Sequence, residues 1–353
     1  MFNIAYFQDL RCAGVTTTRI RAALSCCLLR LGHGVYSVIR RCGNPGHAVF
    51  ATFIDNEDWI RFHAEGKPRD SGQRARYSEH LDRLRVLSYP NYRPDDVVWS
   101  VSAARVHRIG LFDAPVRPIS VINPRFRTMN RTIRRHKRPV PAEDTCVFEN
   151  IVSTTPARTA LDLNADLSPA AGFAAMEQVL RRHMLGDDED LIFRLGYPPN
   201  LEAEVPAAVR SLFASPVARL SSGRKRAEKL GGLISPLSES YAESRASLNL
   251  HLLGLHDFVQ QFEVRDGRRK LTRLDFLLKN ARVALYVDGT QKYVDTGFDA
   301  MNKESRQHNR LLALGFKVIR FKFNEVLGLQ TFSQKLFSQA PELRGQCGCR
   351  LKL

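Results

Sequence analysis

Three acids and a lysine near the C-terminal end are of the types that hold a divalent cation beside a phosphodiester: Glu243, Asp275, Asp288 and Lys292. Hydrolysing such an ester calls for Mg²⁺ (or Mn²⁺) to polarise a phosphoryl oxygen and to lower the pKa of an attacking water. Mg²⁺ prefers a few carboxylate oxygens plus waters. Asp288 closes the β-prone run Arg282–Asp288, where positions 286 and 288 share one face because strand side chains alternate. Asp275 sits in the neighbouring run Leu271–Leu278, joined to the first by Lys279-Asn280, so a hairpin brings it to that face. Glu243 lies on a helical pattern, Ser238–Leu253, from which it reaches the same cluster. Lys292 is placed to orient water or to stabilise developing charge.

A second set of residues suits an anionic partner. The 353 residues hold 53 Lys and Arg against 36 Asp and Glu, a net charge of +17 with pI near 9.9. Basic side chains gain affinity for a polyanion by releasing its counterions, which makes double-stranded DNA the natural candidate. Arg19 and Arg21 leave the apolar face of a helix that begins after Thr16-Thr17-Thr18, and Arg30 and His33 fall in the hairpin that follows. Arg131, Arg134, Arg135 and Lys137 belong to the run 125–138, in which seven of fourteen residues are Lys or Arg. That run reads equally as a phosphate-tracking arm or as a solvated edge strand whose charges block aggregation.

The elements that must position these residues follow from local pattern. Residues 4–12 read as a short helix stopped at Gly14, and a second helix runs to about Ser25 with Ile20, Ala23 and Leu24 facing the core. Leu28–Leu31 and Val35–Val38 flank Gly32-His33-Gly34 as a hairpin. A polar helix covers Gly72–Leu87, Thr155-Pro156 starts another with Arg158 and Asp162 paired at i, i+4, and residues 165–183 form an Ala-rich helix. The C-terminal pattern is helix, strand (Phe258–Val264), the hairpin, a helix from about Met301 to Leu314 and a strand at Phe316–Phe321.

Two resemblances attach to these patterns. Asp9-Leu10, Gly14-Val15-Thr16, Arg19, Leu24, Leu31 and Gly34-Val35-Tyr36 resemble the N-terminal winged helix-turn-helix of the AbiEi antitoxin family. Ser102–His107 and Thr154–Leu163 look like the second part of such proteins. Residues 238–327 resemble the PD-(D/E)XK nuclease fold, in its very-short-patch-repair-endonuclease-like (Vsr-like) branch. The matching pieces are Glu243-Ser244-Arg245, Leu274-Asp275-Phe276, Val287-Asp288-Gly289 with Lys292-Tyr293, Glu304, and Leu311–Gly315 leading into Val318-Ile319-Arg320. The chain departs from that branch at Tyr286, where the family has Glu, and at Ser305 and Gln307, where Lys and Arg are usual. A phenol is a poor Mg²⁺ ligand at neutral pH.

Taken together, these readings predict a multidomain α+β chain. A winged helix-turn-helix occupies 1–55, an α/β AbiEi-like middle region 56–200, a basic linker 201–232, a restriction-endonuclease-like domain with a mixed central sheet 233–332, and a basic tail 333–353. The expected function is metal-dependent DNA cleavage. The alternative is a transcriptional regulator or antitoxin-like protein, with a cognate toxin or a second copy as partner and a nuclease fold that does not cut. No run is apolar enough for a membrane span and no signal peptide is evident, so a cytoplasmic location is expected. The seven cysteines, at 12, 26, 27, 42, 146, 347 and 349, form no paired CxxC knuckles and read as reduced thiols, mostly in the core. No P-loop, GxGxxG or Ser/His/Asp arrangement appears.

Overall fold

A computed structural model describes residues 2–64, 71–112, 114, 118–267, 269–288 and 298–353. The chain is α+β, with three sheets among the described residues, and divides into two compact units. The first comprises Met1–Val98, Pro118–Pro139 and Val147–Ser153; the second comprises Trp99–Arg117, Val140–Cys146 and Thr154–Leu353. No helix among the described residues is long and apolar enough to cross a membrane.

The first unit opens with strand β1 (Ile4–Tyr6), helix α1 (Phe7–Cys12), helix α2 (Thr17–Ala23) and the hairpin β2 (Leu28–Gly32) and β3 (Val35–Val38). The expected helix over 4–12 therefore starts three residues late. Ile4, Ala5 and Tyr6 pair antiparallel with Ser37, Tyr36 and Val35, giving the sheet order β1-β3-β2. Asn3 pins that strand, since its side chain donates to Val38 O and accepts from the N–H groups of Asp55 and Asn56. Gly14, at φ +74°, makes the turn between the helices, and the Thr16 hydroxyl caps α2 by accepting the Arg19 N–H. Ile20 and Ala23 are buried as expected, but Leu24 is exposed, because α2 ends before it.

Helices α3 (Glu57–Ala64) and α4 (Ser71–Leu87) follow, with Trp59 and Leu84 packed against Leu31 and Val35 of the hairpin. A six-stranded mixed sheet, in the order β6-β7-β5-β4-β9-β8, is built from β4 (Val97–Val98), β5 (Ile119–Asn123), β6 (Thr128–Met129), β7 (Ile133–Lys137), β8 (Thr145–Phe148) and β9 (Ile151–Thr154).

The second unit is helical up to its own sheet: α5 (Ser100–Val106), α6 (Pro156–Asp166), α7 (Pro169–Leu185), α8 (Glu189–Leu195), α9 (Leu201–Ala218), α10 (Arg224–Gly231) and α11 (Tyr241–Leu253). The segment expected to be a basic linker is instead α9 and α10. Phe213, Val217, Ala227 and Leu230 of these helices join the core formed by Phe173, Met176 and Leu180 of α7. Arg158 pairs with Asp162 as its i, i+4 spacing predicts, and its guanidinium also meets the fully buried Asp144, to which Arg219 donates from the other side.

A four-stranded sheet completes this unit: β10 (Val259–Asp266), β11 (Arg269–Leu278), β12 (Val283–Asp288) and, after α12 (Phe298–Ala313), β13 (Lys317–Lys322). β10, β11 and β12 are antiparallel, and β13 lies parallel to β12. After β13 come α13 (Phe323–Leu327) and α14 (Leu329–Gln339), and the expected tail, 333–353, is structured in part, holding the end of α14 and the 3-10 turn Pro341–Gln346. Phe332, Leu336, Ala340 and Leu343 are fully buried against Phe276, Leu285 and Ile319. Cys347 packs on this core, and Gly348 N–H donates to Gly254 O, where a Cβ on Gly254 would stand 2.6 Å from a backbone oxygen. The Cys347-Gly348-Cys349 segment thus closes the core by backbone contact and through the Cys347 thiol, which donates to Leu343 O at 3.5 Å.

Glu177 on α7 is fully buried, and burial pushes its carboxyl up to about 7, which the Ser244 and Ser238 hydroxyls and the Ser235 N–H only partly offset. An acid with a raised folded-state pKa binds its proton more tightly in the folded chain. Its contribution to stability is therefore complete below the ordinary glutamate value and is lost as pH rises through about 7. Glu177→Gln is expected to remove this part of the pH slope and to gain about 1–3 kcal/mol in urea unfolding at alkaline pH. An unchanged slope between acidic and neutral pH would overturn the assignment.

Candidate functional site

The carboxylates expected to hold a cation are placed by one helix start and one strand fork. Ser240 caps α11 by accepting the Glu243 N–H, and its hydroxyl donates to Glu243 Oε1 at 2.9 Å. Glu243 Oε2 accepts from the Glu239 N–H at 3.0 Å and from Gln261 Nε2 at 2.9 Å. Glu239, one turn earlier, is held by Arg273 and by the Tyr197 hydroxyl, each at 2.6 Å. Gln261 on β10 adopts φ +53°, a left-handed conformation that costs a non-glycine residue of order 1–3 kcal/mol and that clusters at functional sites.

Asp275 lies on β11 opposite Gln261, between the pairs Gln260↔Phe276 and Phe262↔Leu274. On its other side the ladder to β12 stops at Phe276↔Leu285, and the Val287 N–H is taken by Asp275 Oδ2 at 2.7 Å. Burial, and then the negative charge of Asp275, push the Glu243 carboxyl up to about 8. Two acids from different elements therefore feel one another at this fork, the arrangement that a cation relieves.

On β12, Tyr286 packs with Leu274 and Leu311, whereas Leu285 and Val287 pack in the opposite layer with Leu250. The alternation expected for 286 and 288 thus holds. Asp288 is buried, with Oδ1 3.4 Å from Arg320 Nη1 on β13. The same guanidinium lies 4.6 Å over the Tyr286 ring, whose hydroxyl is 3.1 Å from Thr272 Oγ1. Glu243, Asp275 and Asp288 do not gather as one trio. Among the described residues, the group whose ligand atoms all lie within 4.8 Å of one another is Cys26, Cys27, Cys42 and His47. Lys292 and Tyr293 lie outside the described residues, and Glu304 falls in α12.

Of the basic residues, Arg19 and Arg21 are exposed on α2, and Arg30 and His33 are exposed on the hairpin. Arg131 and Lys137 are exposed beside β7, and Arg134 is half-buried. Arg135 is not available to a phosphate. Its side chain is buried, donates from Nε to both oxygens of the buried Asp96 at 3.1 and 3.0 Å, and reaches Asn91 O at 3.0 Å. Ile133 and Arg135 share the inner face of β7, which the two-residue alternation in the sequence could have disclosed.

The cysteine reading holds in part. Cys27 is in the core, with Cys26 and Cys42 packed against it, but Cys26 and Cys27 in the turn after α2, Cys42 after β3 and His47 in the 3-10 turn Pro45–Phe53 also form one group. Burial pushes the Cys27 thiol up to about 12, while the Asn44 backbone N–H and then His47 hold Cys42 down to about 7. The available signal was Cys42 and His47 five residues apart, downstream of a vicinal pair. Comparison with protein-family models, with curated proteins and with solved structures finds no match.

Proposed function

We propose that the chain binds double-stranded DNA through its N-terminal helices and hairpin, acting as a winged helix-turn-helix. Its C-terminal sheet and helices then act as a PD-(D/E)XK-type nuclease fold that cleaves DNA with Mg²⁺ or Mn²⁺. The order helix, three antiparallel strands, helix and parallel strand fits that fold. The observation that carries the reading is the fork at Asp275. There burial and then the negative charge of Asp275 raise the carboxyl of Glu243 on the preceding helix, a repulsion that a cation would relieve, next to a strained Gln261. Asp288 stands apart from this pair, beside Arg320 on the Tyr286 face of β12.

One observation favours a second reading, in which the fold binds DNA without cutting. Arg320 covers Tyr286 and pairs with Asp288, so a protein cation already serves the carboxylate nearest the missing glutamate. Under that reading the chain is a regulator or antitoxin-like protein, as a dimer on two half-sites or with a toxin as partner.

Both readings need DNA binding, which fluorescence anisotropy on labelled duplex tests directly. Affinity is expected to fall steeply with salt, and Arg19→Ala with Arg21→Ala is expected to shrink the log–log salt slope by about 2, the two phosphate contacts removed. Binding that ignores both salt and these two changes would overturn the assignment.

A further inference from the structure

Cys26, Cys27, Cys42 and His47 converge on one point in the first unit, at the base of the β2–β3 hairpin. Cys26 Sγ is 3.6 Å from Cys27 Sγ and 3.8 Å from Cys42 Sγ. His47 Nδ1 is 3.1, 3.8 and 3.4 Å from the sulfurs of Cys26, Cys27 and Cys42. A tetrahedral Zn²⁺, with Zn–S near 2.3 Å and Zn–N near 2.0 Å, sets sulfurs about 3.8 Å apart and a nitrogen about 3.5 Å from each sulfur. The observed spacings straddle those values. Ordinary core thiols would point to separate apolar neighbours; here three sulfurs and a ring nitrogen point at each other.

Local structure holds each donor in place. Ile39 N–H donates to Cys27 O, tying the turn after α2 to the end of the hairpin. Asn44 accepts the Gly46 N–H on its side chain and the His47 N–H on its carbonyl, and Pro45 opens the 3-10 turn, which folds His47 back toward Cys42. The His47 ring packs edge-on to the buried Phe50 at 5.8 Å, and Cys27 is fully buried. Cys26 and Cys42 are partly open, which leaves a route for a metal to enter.

We infer that these four residues form a structural zinc site of the Cys₃His type. Three thiolates and one imidazole suit Zn²⁺, and a full protein ligand set without an open position marks a structural rather than a catalytic centre. The bound ion clasps the end of α2 to both ends of the hairpin and so fixes the angle at which Arg19 and Arg21 are presented. The site stands whether or not the chain binds or cuts DNA, because it uses none of the carboxylates of the second unit.

The full-length protein, made without a metal-affinity tag and kept reduced, tests this by elemental analysis. About one zinc per chain is expected, falling below about a tenth in Cys42→Ser and His47→Ala and persisting in Cys12→Ser, whose thiol lies outside the group. His47→Cys is expected to keep the metal, since it restores a fourth soft donor. Because a serine variant can fail to fold, wild-type protein stripped of metal and given Co²⁺ supplies the second measurement. Thiolate-to-cobalt charge transfer and tetrahedral ligand-field bands, abolished by added Zn²⁺, support the site. Wild type with neither zinc nor cobalt bands overturns it, as does iron in place of zinc. A denaturing thiol titration that finds fewer than the seven free thiols also overturns it, because a disulfide would then occupy the same group.

Discussion

Supercoiled plasmid incubated with the protein and Mg²⁺ or Mn²⁺ is expected to be nicked, and Asp275→Ala is expected to slow that nicking by at least about a hundredfold. Asp275 is the acid whose loss is expected to cost most. It stands where β11 and β12 part, it is the neighbour that raises Glu243, and its carboxylate takes the Val287 N–H in place of the ladder. Asp288→Ala should slow the reaction as well, with EDTA abolishing it in every variant. The informative companion is Tyr286→Glu. It supplies the carboxylate that the Vsr-like pattern has at this position, beside a guanidinium that already serves Asp288. A silent wild type and an active Tyr286→Glu would identify a lapsed nuclease whose remaining work is binding. Silence of both, with salt-sensitive binding intact, would leave the regulator reading alone. Nicking that survives Asp275→Ala would remove this cluster from the chemistry altogether.

The largest stability effect is expected at Asp144. Its carboxylate is fully buried, with Oδ2 2.6 Å from Arg158 Nη1 and Oδ1 3.1 Å from Arg219 Nε, while Arg158 Nε also meets Asp162 at 3.1 Å. Removing one member of a buried ion network leaves its partner's charge stranded, typically at a cost of about 3–5 kcal/mol. Asp162 still serves Arg158, and Arg219 reaches solvent, so Asp144→Ala is expected at the lower end, about 3 kcal/mol. Asp144→Asn should cost less, because the amide oxygen still accepts one of the two guanidinium donors. Urea unfolding in a Trp59→Phe background reads this cleanly, since Trp99 then reports from the second unit while Trp59 belongs to the first. A loss under about 1 kcal/mol would show that this ion network contributes little to stability.

Much of the second unit was legible because its signals are local. The helix opening near Ser240, the two strands around Lys279-Asn280, the later helix and the strand into Phe321 announce themselves by periodicity and turn chemistry. The Thr155-Pro156 helix start and the Arg158–Asp162 pair are of the same kind. What escaped depended on partners distant in sequence. Ile4–Tyr6 is extended only because Val35–Ser37 waits some thirty residues on, and Arg135 is buried only because Asp96 lies beneath it. The segment 201–232 looked like a linker because its basic residues hide a thin stripe of Phe213, Val217, Ala227 and Leu230. The metal-ready thiols were missed because their donors come from a turn, a post-strand segment and a 3-10 turn, with none of the regular knuckle spacing.

The closure of the second core by Phe332, Leu336 and Leu343, with Gly348 seated on Gly254, bears on how the chain is born. Domains tend to fold as units while synthesis proceeds. The first unit has all of its segments once Ser153 has emerged, whereas the second lacks part of its interior until Gly348 has followed. At ~5–20 residues per second the stretch from Phe276 to Gly348 takes roughly 4–14 s, during which Phe276 and Leu285 lack their final cover. Through that interval the nascent second unit exposes apolar surface, whereas every segment of the first has already been made.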